Sequence, residues 1–389
     1  GLGGSPGLRE PAARLVAGLR RTALRTAAAD GAPRRPVVVA VDLPSGVEPD
    51  TGATPGSHVV ADVTVTFGAA KPCLLLAPAS RAAGRVVEVD IGLGPLLPDV
   101  AAVERLQTAD AADRWPVPSP DDDKYRRGVV GVVAGSAAYP GAAVLAVGGA
   151  LRAGAGMVRY AGPEHAADQV RARWPEVVVG EGRVQAWVLG PGVDPDARDG
   201  QRDVVERALT SGDPCVVDAG GLAVVPGLVA EARADHGTAL GPHVLLTPHA
   251  GEIAWLLGDL GPLDGPDGSD DPGPLRADVE ARPAEYAVRA ARATGATVLL
   301  KGATTVVATP DGRLRSQADA PGWLATAGAG DVLAGIAGTL LAAGLSALDA
   351  GSLAALVHGR SAARASGGGP ITASDVAQAL PATVADLLG

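Results

Sequence analysis

Aromatic side chains are scarce in this chain of 389 residues, 3% of positions, with a single phenylalanine. A surface that reads single-stranded nucleic acid by stacking needs several such rings. Basic charge is short as well: 33 Lys and Arg face 43 Asp and Glu, a net charge of −10. That balance excludes the basic face of a nucleic-acid-binding protein. It leaves room for a phosphate held by one lysine or by a helix start. Only two cysteines occur, Cys73 and Cys215, each inside an apolar run. They build neither a disulfide framework nor a CxxC metal pattern, which suits a reducing, cytoplasmic setting. Also missing is an apolar run of the ~20 residues needed to span a bilayer. The longest, 332–345, is interrupted by glycine and reads as a buried helix, so no membrane partner is expected. Met157 is the one methionine and the chain opens Gly1-Leu2-Gly3-Gly4. We expect an N-terminally incomplete sequence, from which no targeting signal can be read.

What is present is apolar and small. Hydrophobic residues make up 47% and charged ones 20%, enough for a large core, and the length suits two domains. Residues 9–30 read as helix. The continuous apolar run 37–42 reads as a strand buried on both faces, hence central in a parallel sheet, with further strands at 62–67 and 85–91. The stretch Arg114-Trp115-Pro116-Val117-Pro118-Ser119-Pro120, followed by Asp121-Asp122-Asp123, reads as a stiff, exposed connector. These aspartates, and the pair Asp270-Asp271, read as solvated loop charge. We divide the chain into a first α/β domain over 1–104, a linker and domain entry over 105–123, and a second domain over 124–389. Within the second, strands at 129–134, 157–161, 186–189, 215–218, 244–247 and 297–301 alternate with helical stretches. That alternation predicts a mainly parallel sheet flanked by helices. The Gly/Pro/Asp-rich stretch 258–278 reads as a mobile surface loop. No internal repeat is visible.

Open parallel sheets bind ligands at the carboxyl ends of their strands, and several ends here carry chemistry. Gly328-Ala329-Gly330-Asp331 opens a helix. Its glycines allow close approach of a phosphate, the unpaired N–H groups and dipole stabilise that charge, and Asp331 suits a base acting on a substrate hydroxyl. A glycine turn with Asp as a helix cap is the plainer reading. Lys301-Gly302-Ala303-Thr304-Thr305 ends an apolar strand and precedes a hairpin turned by Pro310-Asp311-Gly312. It suits a nucleotide phosphate or ribose, against the alternative of an edge lysine. Thr247-Pro248-His249-Ala250-Gly251-Glu252 follows another strand, and a lone loop histidine is more often structural than catalytic. Leu189-Gly190-Pro191-Gly192 is a strand end at which a flat ring or phosphate can approach the backbone.

Taken in order with Tyr139-Pro140-Gly141-Ala142-Ala143 and Trp323-Leu324-Ala325-Thr326-Ala327, these segments resemble the ADP/ATP-dependent NAD(P)H-hydrate dehydratase family over about 107–388. The resemblance implies a ribokinase-like three-layer α/β/α domain with Asp331 as catalytic base. It places Ala142, Ala143, Gly192, His249 and Asp331 at the hydrated nicotinamide nucleotide, and Lys301, Gly302, Ala303, Thr304, Thr305 and Gly330 at AMP. ADP is the implied phosphoryl donor, with ATP as the other candidate, and Mg2+ is expected through the phosphates. Substrates would be NADHX and NADPHX, and the protein a homo-oligomer. In the first domain, Ala40-Val41-Asp42-Leu43-Pro44-Ser45-Gly46, Asp50-Thr51-Gly52 and Thr66-Phe67-Gly68-Ala69-Ala70-Lys71-Pro72 resemble the NAD(P)H-hydrate epimerase family. This implies a partial Rossmann-like α/β domain in which Asp42 contacts the hydrated nucleotide and Ser45 helps to hold K+. Residues 1–9 resemble that family's glycine-rich substrate loop, but the Asn-Asn-Gly-Gly-Asp segment and ion-binding Asp before it are absent. The epimerase half is therefore expected to be incomplete and inactive. Two departures stand in the second domain: Asp218-Ala219-Gly220-Gly221-Leu222 replaces Asp-Ala-Asp-Ala-Leu, and Gln317 replaces an Asn. A ribokinase-like kinase of a small alcohol or vitamin, and a catalytically inactive nucleotide-binding module, remain the alternatives.

Overall fold

The computed structural model describes residues 7–18, 36–196, 200–235, 240–260 and 273–389. The chain divides into two compact units, Gly1–Glu104 with Ala277–Glu285, and Arg105–Arg276 with Tyr286–Gly389. In the smaller unit β1 (Val39–Val41), β2 (Val63–Phe67) and β3 (Arg85–Val89) form a parallel sheet in the order β1-β2-β3. Leu43, Val47, Cys73, Leu74 and Ala79 form a core beside it. The expected central strand is instead the edge of the described sheet: Ala40 is buried, but Val39 and Val41 are 55% and 69% exposed. An unbroken apolar run does not distinguish one covered face from two; only the neighbouring layer decides. Residues 12–18 of the expected first helix are helical, while 1–6 and 19–35 lie outside the described residues.

The larger unit is built on nine strands in the order β12-β11-β10-β9-β8-β7-β4-β5-β6. They are β4 (Val129–Val133), β5 (Met157–Tyr160), β6 (Val178–Val179), β7 (Ala186–Leu189), β8 (Cys215–Val217), β9 (Val244–Leu246), β10 (Thr297–Leu300), β11 (Thr305–Ala308) and β12 (Leu314–Gln317). From β10 to β6 all neighbours are parallel, and β10-β11-β12 continue as an antiparallel meander. Side chains alternate between the faces of a strand, and β4, β7, β8, β9 and β10 are buried at every position. The sheet is therefore covered on both sides, which makes three layers. On one face, Val130, Val132, Val188, Val216, Leu245 and Leu299 share a core with helices Pro140–Ala153, Ala329–Ala342, Ala347–Ser366 and Ala373–Leu388. Small residues set that layer's spacing. A Cβ on Gly335 would lie 2.1 Å from the Ala146 oxygen, and one on Gly149 would lie 2.4 Å from the Val332 oxygen, so the first two helices meet backbone to backbone.

The expected connector is not a free linker. Residues Thr108–Arg114 form a helix with a Gln107–Asp110 capping box, and Trp115 is 7% exposed within the large core. Within the stretch 114–123, Arg114, residues 117–121 and Asp123 are exposed. The aspartates that follow have local work: Asp122 accepts from the Ser119 amide and Asp123 from those of Tyr125 and Arg126. The expected loop 258–278 is helical at its ends, within Ala250–Asp259 and Arg276–Ala281, and 261–272 lie outside the described residues, as do Asp270 and Asp271.

Candidate active site

Adjacent parallel strands deliver adjacent chemistry. Asp218 follows β8, Thr247 follows β9 and Lys301 follows β10, so three neighbouring carboxyl ends place their next residues side by side. Asp218 Oδ1 accepts from Lys301 Nζ at 2.6 Å and from Thr247 Oγ1 at 2.9 Å. Asp218 is 2% exposed, so this ion pair is desolvated and its carboxylate is held by two donors. Ala219 after it has φ +46°, a left-handed conformation costly for a residue with a Cβ, as if the turn were bent to present Asp218. The Gly-for-Asp departure has a steric reason: a Cβ on Gly220 would lie 2.0 Å from the Val193 oxygen. Gln317 is buried on β12, its amide atoms without a partner among the described residues.

The glycine-rich turn meets this pair. Gly328 caps helix Ala329–Ala342 with φ +83°, and Asp331 stands in the first helical turn. A Cβ on Gly330 would lie 3.4 Å from Lys301 Nζ and 3.6 Å from Asp218 Oδ2. The open N–H groups of the helix start, the ammonium and two carboxylates thus converge on one spot. Burial first, and then the Asp218 charge, push the Asp331 carboxyl up to about 7, with Lys301 pulling the other way. Burial pulls the Lys301 ammonium down, but Asp218, Glu252 and Asp331 outweigh it and hold it protonated. The result is a fixed cation beside a carboxyl poised to exchange a proton near neutrality.

A cavity of about 430 Å³ opens from this point, lined by Lys301, Gly302, Ala303 and Thr305 on one side and by Pro321, Leu324 and Gly330 on another. Its wall is chiefly apolar, as a nucleobase slot requires. Thr304, expected beside these residues, points inward at 5% exposure and is not part of the lining. Thr304 lies in the bend just before β11 and is turned into the protein, while Ala303 and Thr305 line the cavity.

The other expected residues sit further along the same sheet edge. A Cβ on Gly192 would lie 2.5 Å from that of Ala142, which brings the turn after β7 against the start of helix Pro140–Ala153. Ala143 is fully buried, against Gly135. His249 caps its own helix in a reciprocal box: its Nδ1 accepts from the Glu252 amide at 3.1 Å, and Glu252 Oε2 accepts from the His249 amide at 2.7 Å. Its ring is 55% exposed, and the bond between Lys301 N and Pro248 O at 2.8 Å ties the two turns together. Asp218, Thr247 and Glu252 were not among the expected site residues. Their one sequence signal is a polar residue directly after a wholly apolar strand, or inside the first turn of the helix that follows. In the smaller unit, Asp42 follows β1 with φ +71° and binds Lys71 Nζ at 2.5 Å. Burial acts to raise its carboxyl, but Lys71 and Thr66 outweigh that and lower it. Ser45 is exposed.

A three-layer α/β sheet with a phosphate-type helix start at its carboxyl edge defines the ribokinase-like class. A ribokinase-like superfamily protein of Enterococcus faecalis superposes on 75% of this chain and 98% of its own with a TM-score of 0.61 at 18% identity. The chain belongs to the NAD(P)H-hydrate dehydratase family, whose profile matches residues 130–381; residues 1–73 match the YjeF-related protein N-terminus. It is 44% identical over 344 residues to a bifunctional NAD(P)H-hydrate repair enzyme of Mycobacterium tuberculosis, across 86% of this chain and 62% of that protein. It is 36% identical over 253 residues to an ADP-dependent (S)-NAD(P)H-hydrate dehydratase of Xanthomonas campestris pv. campestris, across 60% of this chain and 78% of that protein. The ADP/ATP-dependent NAD(P)H-hydrate dehydratase of Bacillus subtilis, co-crystallised with ATP/Mg2+, aligns at 25% identity and TM-score 0.62 over 73% of this chain and 99% of its own. The chain spans about three-fifths of the length of the bifunctional relatives it matches. Among the described residues, no helix is long and apolar enough to cross a membrane.

Proposed function

We propose that the larger unit dehydrates the S-form of hydrated NADH and NADPH at the expense of ADP. The carrying observation is the convergence at the helix start: Lys301 paired with Asp218 at 2.6 Å, open amides at Gly328 and Gly330, and Asp331 raised to about 7. The C6 hydroxyl of the hydrate is a poor leaving group. Asp331 takes its proton as the oxygen attacks the β-phosphorus of ADP, and AMP departs. The phosphorylated hydroxyl then leaves as phosphate, pushed out by the ring nitrogen, and loss of the C5 proton restores the double bond. Lys301 and the Gly330 amide stabilise the charge on the transferring group, and Asp218 with Thr247 keeps Lys301 aimed. The apolar cavity beyond Lys301 takes the adenosine, while Gly192, Ala142 and His249 border the hydrate, with Ala143 packed behind them.

Magnesium fits this site only in company with the phosphates. Among the described residues no group of three His, Cys, Asp or Glu is arranged to hold a metal, and Asp218 Oδ1 is already committed to Lys301 and Thr247. For the smaller unit we propose contact of Asp42 with the hydrated nucleotide. Potassium fits less well there, because Asp42, close in sequence to Ser45, already carries the Lys71 ammonium; no step is derived through that ion.

Chemically hydrated NADH tests the proposal. NADH absorbance should return with protein and ADP, more slowly with ATP, and not without nucleotide, with one AMP formed per NADH recovered. Equal recovery in the absence of nucleotide would sink the phosphorylation mechanism.

A further inference from the structure

His358 lies on the buried helix Ala347–Ser366, is 5% exposed, and joins Lys301 and Gly330 in lining the cavity. Its imidazole donates to the backbone carbonyl of Ala329, while Nε2 has no partner among the described residues. Burial first, with Lys301 acting in the same direction, pushes the ring down to about 4, so it is neutral and has a single N–H to give. Leaving a buried acceptor unmatched is costly, and an apolar side chain at this position would avoid that cost. The helix is also held in register here: a Cβ on the next residue, Gly359, would lie 2.9 Å from the Ala320 nitrogen.

The Ala329 carbonyl and the Gly330 N–H are two ends of one peptide group. A donor on the oxygen draws charge toward it and makes the N–H a stronger donor, the usual cooperativity of hydrogen-bond chains. We infer that His358 is a positioning residue of the phosphate site, orienting and polarising the Ala329–Gly330 peptide so that the Gly330 N–H meets a nucleotide phosphate. This rests on the nucleotide reading above and assigns His358 no contact with the reacting atoms.

Calorimetric titration of the full chain with ADP and with adenosine separates this from a wall-packing role. For His358→Leu we expect ADP binding weaker on the order of fivefold, with adenosine, which has no phosphate, changed by less than about twofold. His358→Asn keeps an amide donor near the place of Nδ1 and should retain ADP affinity. His358→Gln moves that donor to the place of Nε2 and should not, which preserves the comparison if the leucine variant does not fold. Unchanged ADP affinity in the Leu and Gln variants, or parallel loss of ADP and adenosine, overturns the inference alone. A wild-type chain that binds neither overturns the nucleotide reading and this inference with it.

Discussion

Asp331 faces opposing demands. The proposed chemistry needs its carboxylate, yet burial and Asp218 favour the protonated form and raise its pKa to about 7. Two consequences follow for Asp331→Asn. Wild-type kcat/KM should rise with pH through about 7 as the base ionises, and the variant should lose about 100–10,000-fold in turnover without that inflection. Stability should move the other way. A folded pKa above the ordinary carboxylate value of 3.8 contributes stability present below that value and lost as pH rises through about 7. The variant, which cannot ionise, should therefore melt above wild type at pH 8 and no higher than it at pH 4. A small stability loss with turnover intact would make Asp331 a helix cap. At this scale the sequence exposed what followed a glycine turn or ended a strand, Asp331 and Lys301. It did not expose the pairing of Lys301 with Asp218, because 83 residues separate them and only strand order makes them neighbours.

Helix Ala329–Ala342 connects packing to the proposed chemistry, since its first turn is the proposed phosphate site and its middle leans on helix Pro140–Ala153. Gly335→Ala would push a methyl into the Ala146 carbonyl, where its carbon would stand 2.1 Å away. Overpacking of this kind costs about 1–3 kcal/mol and here exceeds the ~1 kcal/mol that alanine returns in helix propensity. Gly227→Ala, in helix Val225–Ala234, meets nothing within 4 Å and should gain about that ~1 kcal/mol. Thermal midpoints of the two variants should thus shift in opposite directions; a gain in both would mean that the helices do not meet as closely as described. Parallel strands with apolar interiors were readable from the sequence, each to within a residue or two. The two-residue β6, the edge position of β1 and the burial of Trp115 were not. Length, edge and cover are properties of neighbours rather than of local pattern.

Over the whole molecule, the two units differ in what ADP should do to them. Binding at the carboxyl edge of the large sheet stabilises the folded form by mass action, about 2.7 kcal/mol at a hundredfold excess over Kd. Hydrogen exchange on the full chain with and without ADP should slow around 301–305 and 328–333. Peptides covering β1 to β3 should be unchanged. Protection confined to the smaller unit would place the nucleotide elsewhere. The sequence alone determined the acidic charge balance, the alternation of strands and helices in the larger unit, and the ordered strand-end motifs, because composition, periodicity and turn chemistry are local. The tertiary structure decided which strand ends stand together, and with them the Lys301–Asp218 pair, the raised Asp331 and the unpartnered Nε2 of His358. Desolvation and charge coupling depend on distances across the sheet, and those exist only once β8, β9 and β10 lie side by side.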